Sequence, residues 1–259
     1  MKEKGKIIAI FIAYNAATTL EKFYRTFPRY LVDEVILVDD ASKDDTYAIS
    51  EKLGIPSYRN ARNLGYGGNM KQALKIALDK GADIIVDIHP DGEYDPSAMP
   101  AAIAEIERGA QFVLGNRFPY FKKPLENGMY VWKLIPIAVL NKLAALVLRV
   151  QISDFHQGFR VYTRELLEKV NFEKNSNNYL FSFEIIAQAA YHKIPITQVT
   201  IETNYSGKKR GASLKNSILY SLGTIKVMAL FLLAKGIYTP MLFQKTHPPL
   251  ISYEEKPFR

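Results

Sequence analysis

The sequence predicts an α/β fold in which a mostly parallel sheet is covered by helices. Strand-like apolar runs alternate with helix-like segments from residue 6 to about residue 115. Such alternation indicates strand–helix–strand units, which build parallel sheets. Polar residues follow several of these strands, at the end where parallel sheets bind ligands. The chain has 259 residues, which is enough for one full-sized domain.

Five strands and four helices are predicted in the first half. The strands are expected at about 6–13, 34–40, 55–58, 84–88 and 111–115. The helices are expected from Ala17, from Asp45 to Leu53, from Gly67 to Lys80 and from Ser97 to Arg108. Thr18 or Thr19 can cap the first of these helices, and Asp95, which precedes a proline, is expected to cap the fourth.

The second half has a less regular pattern. A loop is expected at 118–130, followed by a largely apolar helix at 132–149 and a second helix at 182–192. An edge-like strand is expected at 197–203, before a basic loop at 208–211. We therefore divide the chain into a domain at 1–213 and a basic, apolar helical tail at 214–259.

The composition and the N-terminal sequence bear on the cellular compartment of the protein. The absence of cysteine excludes disulfides and thiolate metal sites and is compatible with a reducing compartment. The apolar run at 7–12 is too short for the core of a signal peptide, so we expect a cytoplasmic protein.

Charge is concentrated near the carboxyl end. Residues 205–259 hold nine Lys and Arg against two Glu, and the whole chain carries +8. Because the same segment is rich in large apolar residues, an anionic membrane surface is favoured over nucleic acid as its partner.

The apolar run from 214 to 243 has three interpretations: a membrane span, an interfacial helix, or core and oligomer contact. A span needs about 20 apolar residues with few charges. Lys215, Lys226 and Lys235 interrupt the run, and its longest uncharged apolar stretch is short. An interfacial amphipathic helix, with lysines reaching the headgroups, agrees better with this pattern.

An acidic turn follows the most hydrophobic strand of the first half. His89, Asp91 and Glu93 alternate there, so an extended backbone would point all three side chains in one direction. Carboxylate oxygens are the ligands of Mg²⁺ and Mn²⁺, and a histidine suits Mn²⁺ better. The turn is therefore a candidate metal site, with a capped turn before the next helix as the alternative.

Other strand ends carry further candidates, each with a structural alternative. Asp39 and Asp40 could accept from a ribose or a base, or could hold a turn. The glycine-rich turn at 63–69 could bring backbone amides to a phosphate at a helix N-terminus, or could be a simple loop. Arg117 could clamp a phosphate or form a surface ion pair. Asp154 is a candidate base.

These motifs together resemble the inverting family 2 glycosyltransferases. The resemblance is carried by Ala13-Tyr14-Asn15, Val38-Asp39-Asp40, the turn at 63–68 and the acidic turn at 89–96. Gly115-Asn116-Arg117, the segment 154–160 and Phe183-Glu184 are similar to the dolichol-phosphate mannose synthase and polyprenyl-phosphate glycosyltransferase branch. The resemblance covers about residues 6–215 and implies a Rossmann-like GT-A fold.

The resemblance also implies roles for individual residues. It places Asp154 near the acceptor, as a base or an orienting group, and the metal, Mg²⁺ or Mn²⁺, on His89, Asp91 and Glu93. The family usually has an aspartate where His89 stands. Lys208, Lys209 and Arg210 are candidates for the basic segment that closes over the diphosphate. The expected nucleotide-sugar site comprises Ala13, Tyr14, Asn15, Asp39, Asp40, Asn63, Gly65, Lys71, Asp91, Arg117, Lys208 and Arg210.

The implied activity is transfer of a sugar from a nucleotide-diphosphate sugar to a polyprenyl phosphate, with inversion. The expected location is the cytoplasmic face of a membrane, without nucleic acid as a partner. Three alternatives stay open: transfer to a saccharide or soluble acceptor, a sugar nucleotidyltransferase, and a non-catalytic nucleotide-sugar binder. The nucleotidyltransferase predicts a glycine-rich loop after the first strand, which 13–17 lacks.

Overall fold

A seven-stranded mixed sheet forms the centre of the molecule. The computed structural model describes residues 5–117, 131–203, 214–236 and 238–245. The strands are β1 (Ile7–Ala13), β2 (Glu34–Asp39), β3 (Ser57–Arg59), β4 (Ile84–Asp87), β5 (Phe112–Asn116), β6 (Arg160–Thr163) and β7 (Ile196–Thr200). Their order across the sheet is β3-β2-β1-β4-β6-β5-β7.

One strand runs against the others. β1 pairs in parallel with β2 and β4, β2 pairs in parallel with β3, and β5 pairs in parallel with β7. β6 is antiparallel to both β4 and β5, between which it lies. The prediction of a mostly parallel sheet is confirmed, but β6 was not predicted. This strand has only four residues and includes a buried arginine, so its hydrophobic pattern is weak.

Helices cover both faces of the sheet. They are α1 (Leu20–Thr26), α2 (Thr46–Lys52), α3 (Tyr66–Asp79), α4 (Met99–Glu107), α5 (Val131–Leu148), α6 (Arg164–Lys169), α7 (Phe181–Tyr191) and α8 (Leu214–Ala234). Alternate residues of β1 enter two separate cores: Ile8 and Ile10 pack with α3 and α7, whereas Phe11 packs with α1 and α4. All seven residues of β1 are buried, as expected for a central strand.

The two predicted helix caps have different outcomes. Asp95 accepts a hydrogen bond from the Ser97 amide at 2.8 Å and so caps the 3₁₀ turn Pro96–Ala98, which leads directly into α4. Thr19 occupies the N-cap position of α1, but its hydroxyl donates to the carbonyl of Ala16 at 3.2 Å instead. The capping role predicted for Thr18 or Thr19 is therefore wrong, because the Thr19 oxygen is turned back to the preceding loop.

Helix α8 belongs to the packed structure on one side only. Val227, Met228, Phe231 and Ala234 are buried in the same core as α3 and α7. The opposite side of the helix exposes large apolar residues, which are considered below. The predicted loop at 118–130, the basic loop at 208–211 and the end of the predicted tail beyond 245 lie outside the described residues.

Candidate active site

The carboxyl ends of four parallel strands meet at one edge of the sheet. Ala13, Asp39, Asp87 and Asn116 are the last residues of β1, β2, β4 and β5. The order and direction of these strands therefore place the residues that follow them around one crevice. The structure thus brings together the predicted sites at Tyr14, Asp39 and Asp40, the acidic turn and Arg117.

The end of β1 is held in an unusual backbone conformation. Asn15 has a φ of 53°, in the left-handed region that asparagine adopts more readily than most residues. Its amide donates to Ser42 Oγ at 2.8 Å, and its Oδ1 accepts from the Lys43 amide at 2.9 Å. Tyr14 beside it is 48% exposed. A ring open to the crevice edge is available to stack on a flat ligand.

The two aspartates after β2 are buried and already engaged with the protein. Asp39 accepts from the Ser42 amide and pairs with Arg59 Nε at 3.2 Å. Asp40 Oδ1 accepts from the side chain of Asn60 at 2.9 Å, and its Oδ2 accepts from the Gly65 amide at 3.0 Å. Both side chains therefore fix the loops around the crevice.

The glycine-rich turn at the start of α3 does not offer its amides to a ligand. The Gly65 amide donates to Asp40, and the Gly67 amide donates to the carbonyl of Asn177 at 2.8 Å. Gly65 has a φ of 78°, and a Cβ there would lie 2.6 Å from the Asn177 carbonyl oxygen. The predicted phosphate cradle is therefore corrected: these glycines permit close packing of two loops. Asn63, also predicted to bind ligand, donates to the carbonyl of Asp40.

Lys71 has a similar structural role. Its Nζ donates to the carbonyl of Asn175 and, at 2.8 Å, to Asn177 Oδ1. Partial burial lowers the pKa of Lys71, although the nearby Glu184 opposes that effect. Lys71 therefore anchors the loop at 175–177, and its contact with the nucleotide sugar stays a prediction.

The acidic turn after β4 brings two carboxylates together. Asp91 Oδ1 accepts from the Glu93 amide at 2.8 Å. Burial and the neighbouring Asp91 carboxylate raise the pKa of Glu93, and the charge of Arg117 opposes this rise. A divalent cation would relieve the repulsion between two such carboxylates, so the Asp91–Glu93 pair fits an oxygen-preferring ion.

His89 lies close to a further carboxylate, that of Asp87 at the end of β4. Its Nε2 lies 3.5 Å from Oδ1 of Asp87, which is fully buried. Burial alone would lower the pKa of His89, but the Asp87 carboxylate raises it. Within the described ranges, no three His, Asp or Glu side chains are grouped as metal ligands. The predicted set of His89, Asp91 and Glu93 is therefore not assembled as three grouped ligands in the described residues, and Asp91 with Glu93 stays the candidate pair for an ion.

A buried ion pair joins the end of β5 to the loop before β6. Arg117 Nε and Nη2 donate to the two carboxylate oxygens of Asp154 at 2.7 and 2.9 Å, and the Arg117 amide donates to Oδ2 at 3.2 Å. Asp154 is fully buried and Arg117 is 7% exposed. Burial alone would raise the pKa of Asp154, but the Arg117 guanidinium holds it below its ordinary value. A carboxylate in this state is a weak base and a firm orienting group.

Sequence reasoning gave no role to Arg160, His156 or Tyr220. Arg160 is 1% exposed, donates to Tyr66 Oη at 3.3 Å, and lies 4.0 Å from Asp87. It thus sits behind the acidic turn. The sequence signal was available for Arg160 and His156, because both belong to the motif at 154–160. Tyr220 has no local signal, since only the packing of α8 brings it to the site.

The three predicted cations Lys208, Lys209 and Arg210 lie outside the described residues. The only helix in the described residues that is long and apolar enough to cross a membrane lies at Asn216–Ala234, within α8. Its mean hydropathy is 1.8, and 28% of the window is buried inside the protein.

Comparison with known proteins identifies relatives of this chain. The chain is 27% identical over 221 residues to a UDP-N-acetylglucosamine–dolichyl-phosphate N-acetylglucosaminyltransferase of Methanococcus voltae, with 78% of this chain and 87% of that protein covered. It is 23% identical over 178 residues to a polyprenol monophosphomannose synthase of Mycolicibacterium smegmatis, with 64% and 65% covered.

Solved structures show the same fold. A glucosyl-3-phosphoglycerate synthase of Mycobacterium tuberculosis superposes with a TM-score of 0.67 at 20% identity, covering 89% of this chain and 81% of that one. That enzyme has also been solved with Mn²⁺, UDP and glucosyl-3-phosphoglycerate, at a TM-score of 0.65 and 18% identity, covering 89% and 81%. The fold is therefore GT-A. A family model described as glycosyl transferase family 2 matches residues 8–170, and the chain belongs to that family.

Proposed function

We propose that this glycosyltransferase moves a sugar from a nucleotide-diphosphate sugar to a polyprenyl phosphate at the cytoplasmic face of a membrane. The observation that carries the proposal is an exposed apolar face on α8, the helix whose Tyr220 contacts the loop that holds Asp154. A lipid phosphate must be met at the bilayer surface, so an apolar surface beside the site is what such an acceptor requires.

The exposed apolar face, as we use the term, comprises Ile218, Leu222, Ile225 and Leu232 of α8, which are 48 to 59% exposed. Their spacings of four, three and seven residues place them along one side of the helix. The neighbouring helix α5 exposes Val139, Leu143 and Leu146 by 41 to 75%. Because the other side of α8 is part of the core, we assign this face to the interface and not to a membrane span.

The choice of acceptor rests on the relatives. The Methanococcus voltae and Mycolicibacterium smegmatis proteins are named for transfer to dolichyl phosphate and polyprenol phosphate. The rival, a soluble acceptor, is represented by the glucosyl-3-phosphoglycerate synthase, which is similar in fold. The exposed apolar face favours the lipid.

The proposed reaction is a single displacement. An oxygen of the acceptor phosphate attacks the anomeric carbon from the side opposite the nucleotide, so the configuration inverts. The bond between that carbon and the diphosphate oxygen breaks, and the nucleoside diphosphate leaves with the electron pair. A phosphate acceptor is already an anion, so the reaction does not need Asp154 to be a strong base.

The residues of the crevice then have distinct tasks. Arg117 has five N–H donors, and its charge would stabilise the negative phosphate oxygens while Asp154 fixes its orientation. Tyr14, Asp39 and Asp40 would bind the nucleoside, as the resemblance to family 2 glycosyltransferases implies. Asp91 and Glu93 would hold a divalent cation, Mg²⁺ or Mn²⁺, which when bound would neutralise charge on the leaving diphosphate.

Vesicle flotation tests the membrane part of this proposal. We expect the full chain to float with vesicles that contain anionic lipid and polyprenyl phosphate. Leu222→Glu should reduce the floated fraction several-fold, because it places a charge in the exposed apolar face. Tyr30→Glu is the matched control, since Tyr30 is 83% exposed and its neighbours Leu31 and Val32 pack against a different core from that of α8. Equal flotation of both variants and the wild type would refute the assignment of this face.

Thermal-shift measurements test the donor. A nucleotide-diphosphate sugar should stabilise the protein more with Mn²⁺ or Mg²⁺ than with EDTA. A screen of UDP, GDP and their sugars identifies the base. A sugar nucleotidyltransferase would instead make nucleotide sugar from sugar phosphate and nucleoside triphosphate, and a non-catalytic binder would be stabilised without any turnover.

A further inference from the structure

One hydrogen bond links α8 to the loop that carries Asp154. Tyr220 Oη lies 2.9 Å from Nδ1 of His156, and their rings meet edge to face with centroids 5.3 Å apart. Tyr220 is 64 positions away from His156 along the chain, so the contact depends entirely on how α8 packs.

His156 in turn contacts both members of the buried ion pair through its backbone. Its amide donates to Asp154 Oδ1 at 3.2 Å, and its carbonyl accepts from Arg117 Nη2 at 3.0 Å. A movement of His156 would therefore displace its carbonyl, which accepts from the Arg117 guanidinium, together with its amide, which donates to the Asp154 carboxylate.

The Tyr220 bond is the only hydrogen bond that the His156 ring makes within the described part of the chain. Its other nitrogen, Nε2, is buried without a hydrogen-bond partner there. Burial lowers the pKa of His156 to about 4, so the ring is neutral near pH 7. One neutral hydrogen bond, together with packing against Phe183, fixes the orientation of this ring.

Tyr220 lies on the core side of α8. The other side of the same helical turn exposes Leu219 and Leu222 by 57 and 59%. One turn further along, the Thr224 hydroxyl, which is fully buried, donates to the carbonyl of Tyr220 at 3.0 Å. A shift of α8 when its exposed side enters a bilayer surface would act directly on the Tyr220 hydroxyl.

We propose that Tyr220 is a positioning residue, through which α8 holds His156 and thereby sets the Arg117–Asp154 pair for transfer. Occupation of the exposed apolar face by a membrane then raises the turnover of the enzyme. This inference rests on the proposed function, because it assumes that a lipid surface is what covers that face.

The test compares two tyrosine-to-phenylalanine variants, each of which removes one hydrogen bond between α8 and another part of the protein. Tyr220→Phe removes the bond to His156. Tyr191→Phe removes a hydrogen bond from the Tyr191 hydroxyl to the carbonyl of Ala234 at 3.2 Å. Ala234 is the last residue of α8 and lies 14 positions after Tyr220. The full chain is assayed for kcat and KM of sugar transfer, with and without vesicles of anionic lipid, beside its melting temperature.

We expect Tyr220→Phe to lower kcat about five- to tenfold, as the loss of one hydrogen bond would. It should also reduce stimulation by vesicles and leave the KM for the nucleotide sugar unchanged. Tyr191→Phe should keep both kcat and stimulation. Within a Tyr220→Phe background, His156→Gln should then cost little more, because the two residues act in series.

Two results would overturn the inference. In the first, Tyr220→Phe keeps the wild-type kcat and the wild-type stimulation by vesicles. In the second, Tyr191→Phe lowers kcat as much as Tyr220→Phe does, and the two variants lose the same amount of melting temperature. Failure of the proposed function has a different signature. A wild-type enzyme that transfers only to a soluble acceptor and ignores vesicles would refute the lipid acceptor and the coupling, while kcat on that acceptor still decides whether Tyr220 positions the pair.

Discussion

The buried ion pair between Arg117 and Asp154 makes a strong prediction about stability. Asp154→Asn keeps the shape of the side chain but leaves the guanidinium, which is 7% exposed, without its charged partner. Removing one partner of a buried pair costs about 3 to 5 kcal/mol. The asparagine oxygen can still accept from one N–H, so we expect the lower end, about 3 kcal/mol.

That loss should lower the melting temperature by about 6–12 °C, since 1 kcal/mol corresponds to roughly 2–4 °C in a domain of this size. The measurement is thermal and urea unfolding of the full chain near pH 7. The double variant Arg117→Gln with Asp154→Asn is the control, because it leaves neither charge buried. The double variant should be more stable than Asp154→Asn alone.

The pH dependence of stability provides a second readout of the same pair. Because the pKa of Asp154 is lowered in the folded protein, its contribution is present above the ordinary aspartate pKa. The contribution is lost as the pH falls from about 4 through the lower folded value. Asp154→Asn should lack this part of the acid transition. A variant that unfolds within 0.5 kcal/mol of wild type, with the same acid transition, would refute the reasoning.

Two further predictions concern the acidic turn and the glycine-rich turn. Asp91→Asn should abolish the additional thermal stabilisation that Mn²⁺ gives in the presence of nucleotide sugar. Asp95→Asn, which keeps its capping oxygen, should retain this stabilisation. Equal metal dependence in the two variants would contradict the Asp91–Glu93 site. Gly67→Ala should destabilise the protein by about 2 kcal/mol in urea unfolding, because its Cβ would lie 2.8 Å from Phe181 Cβ and against the Ser176 carbonyl. Gly236→Ala, whose Cβ would lie at an ordinary contact distance of 3.4 Å from the Leu233 carbonyl oxygen, should change stability little.

Most of the fold could be predicted from local patterns. Within the strands predicted at 6–13, 34–40 and 84–88, the stretches 7–13, 35–38 and 84–86 are apolar throughout, as buried parallel strands require, and the structure has strands there. β6 escaped prediction because only Val161 and Tyr162 are apolar in a strand that begins with Arg160, and only the fold shows that the arginine is buried beside Asp87. Such a strand is specified by its neighbours rather than by its own sequence.

The candidate site was predictable in its location but not in its contacts. Strand ends placed Asp39, Asp91 and Arg117 at one edge correctly. The partner of each side chain depends on loops distant in sequence: Lys71 meets Asn177 across 106 positions, and Arg117 meets Asp154 across 37. The type of a residue at a strand end therefore indicates that it lies near the crevice, but it does not reveal the side chains and loops of the protein that the residue contacts.

Transfer of radiolabelled sugar is the most direct test of the central claim. The full chain is incubated with labelled nucleotide-diphosphate sugar, a divalent cation and vesicles containing polyprenyl phosphate, and the products are extracted into organic solvent. We expect label in the lipid phase as a sugar joined to polyprenyl phosphate with inverted configuration, and we expect this label to depend on Asp91. Label found only in a water-soluble product, with none in the lipid phase, would contradict it.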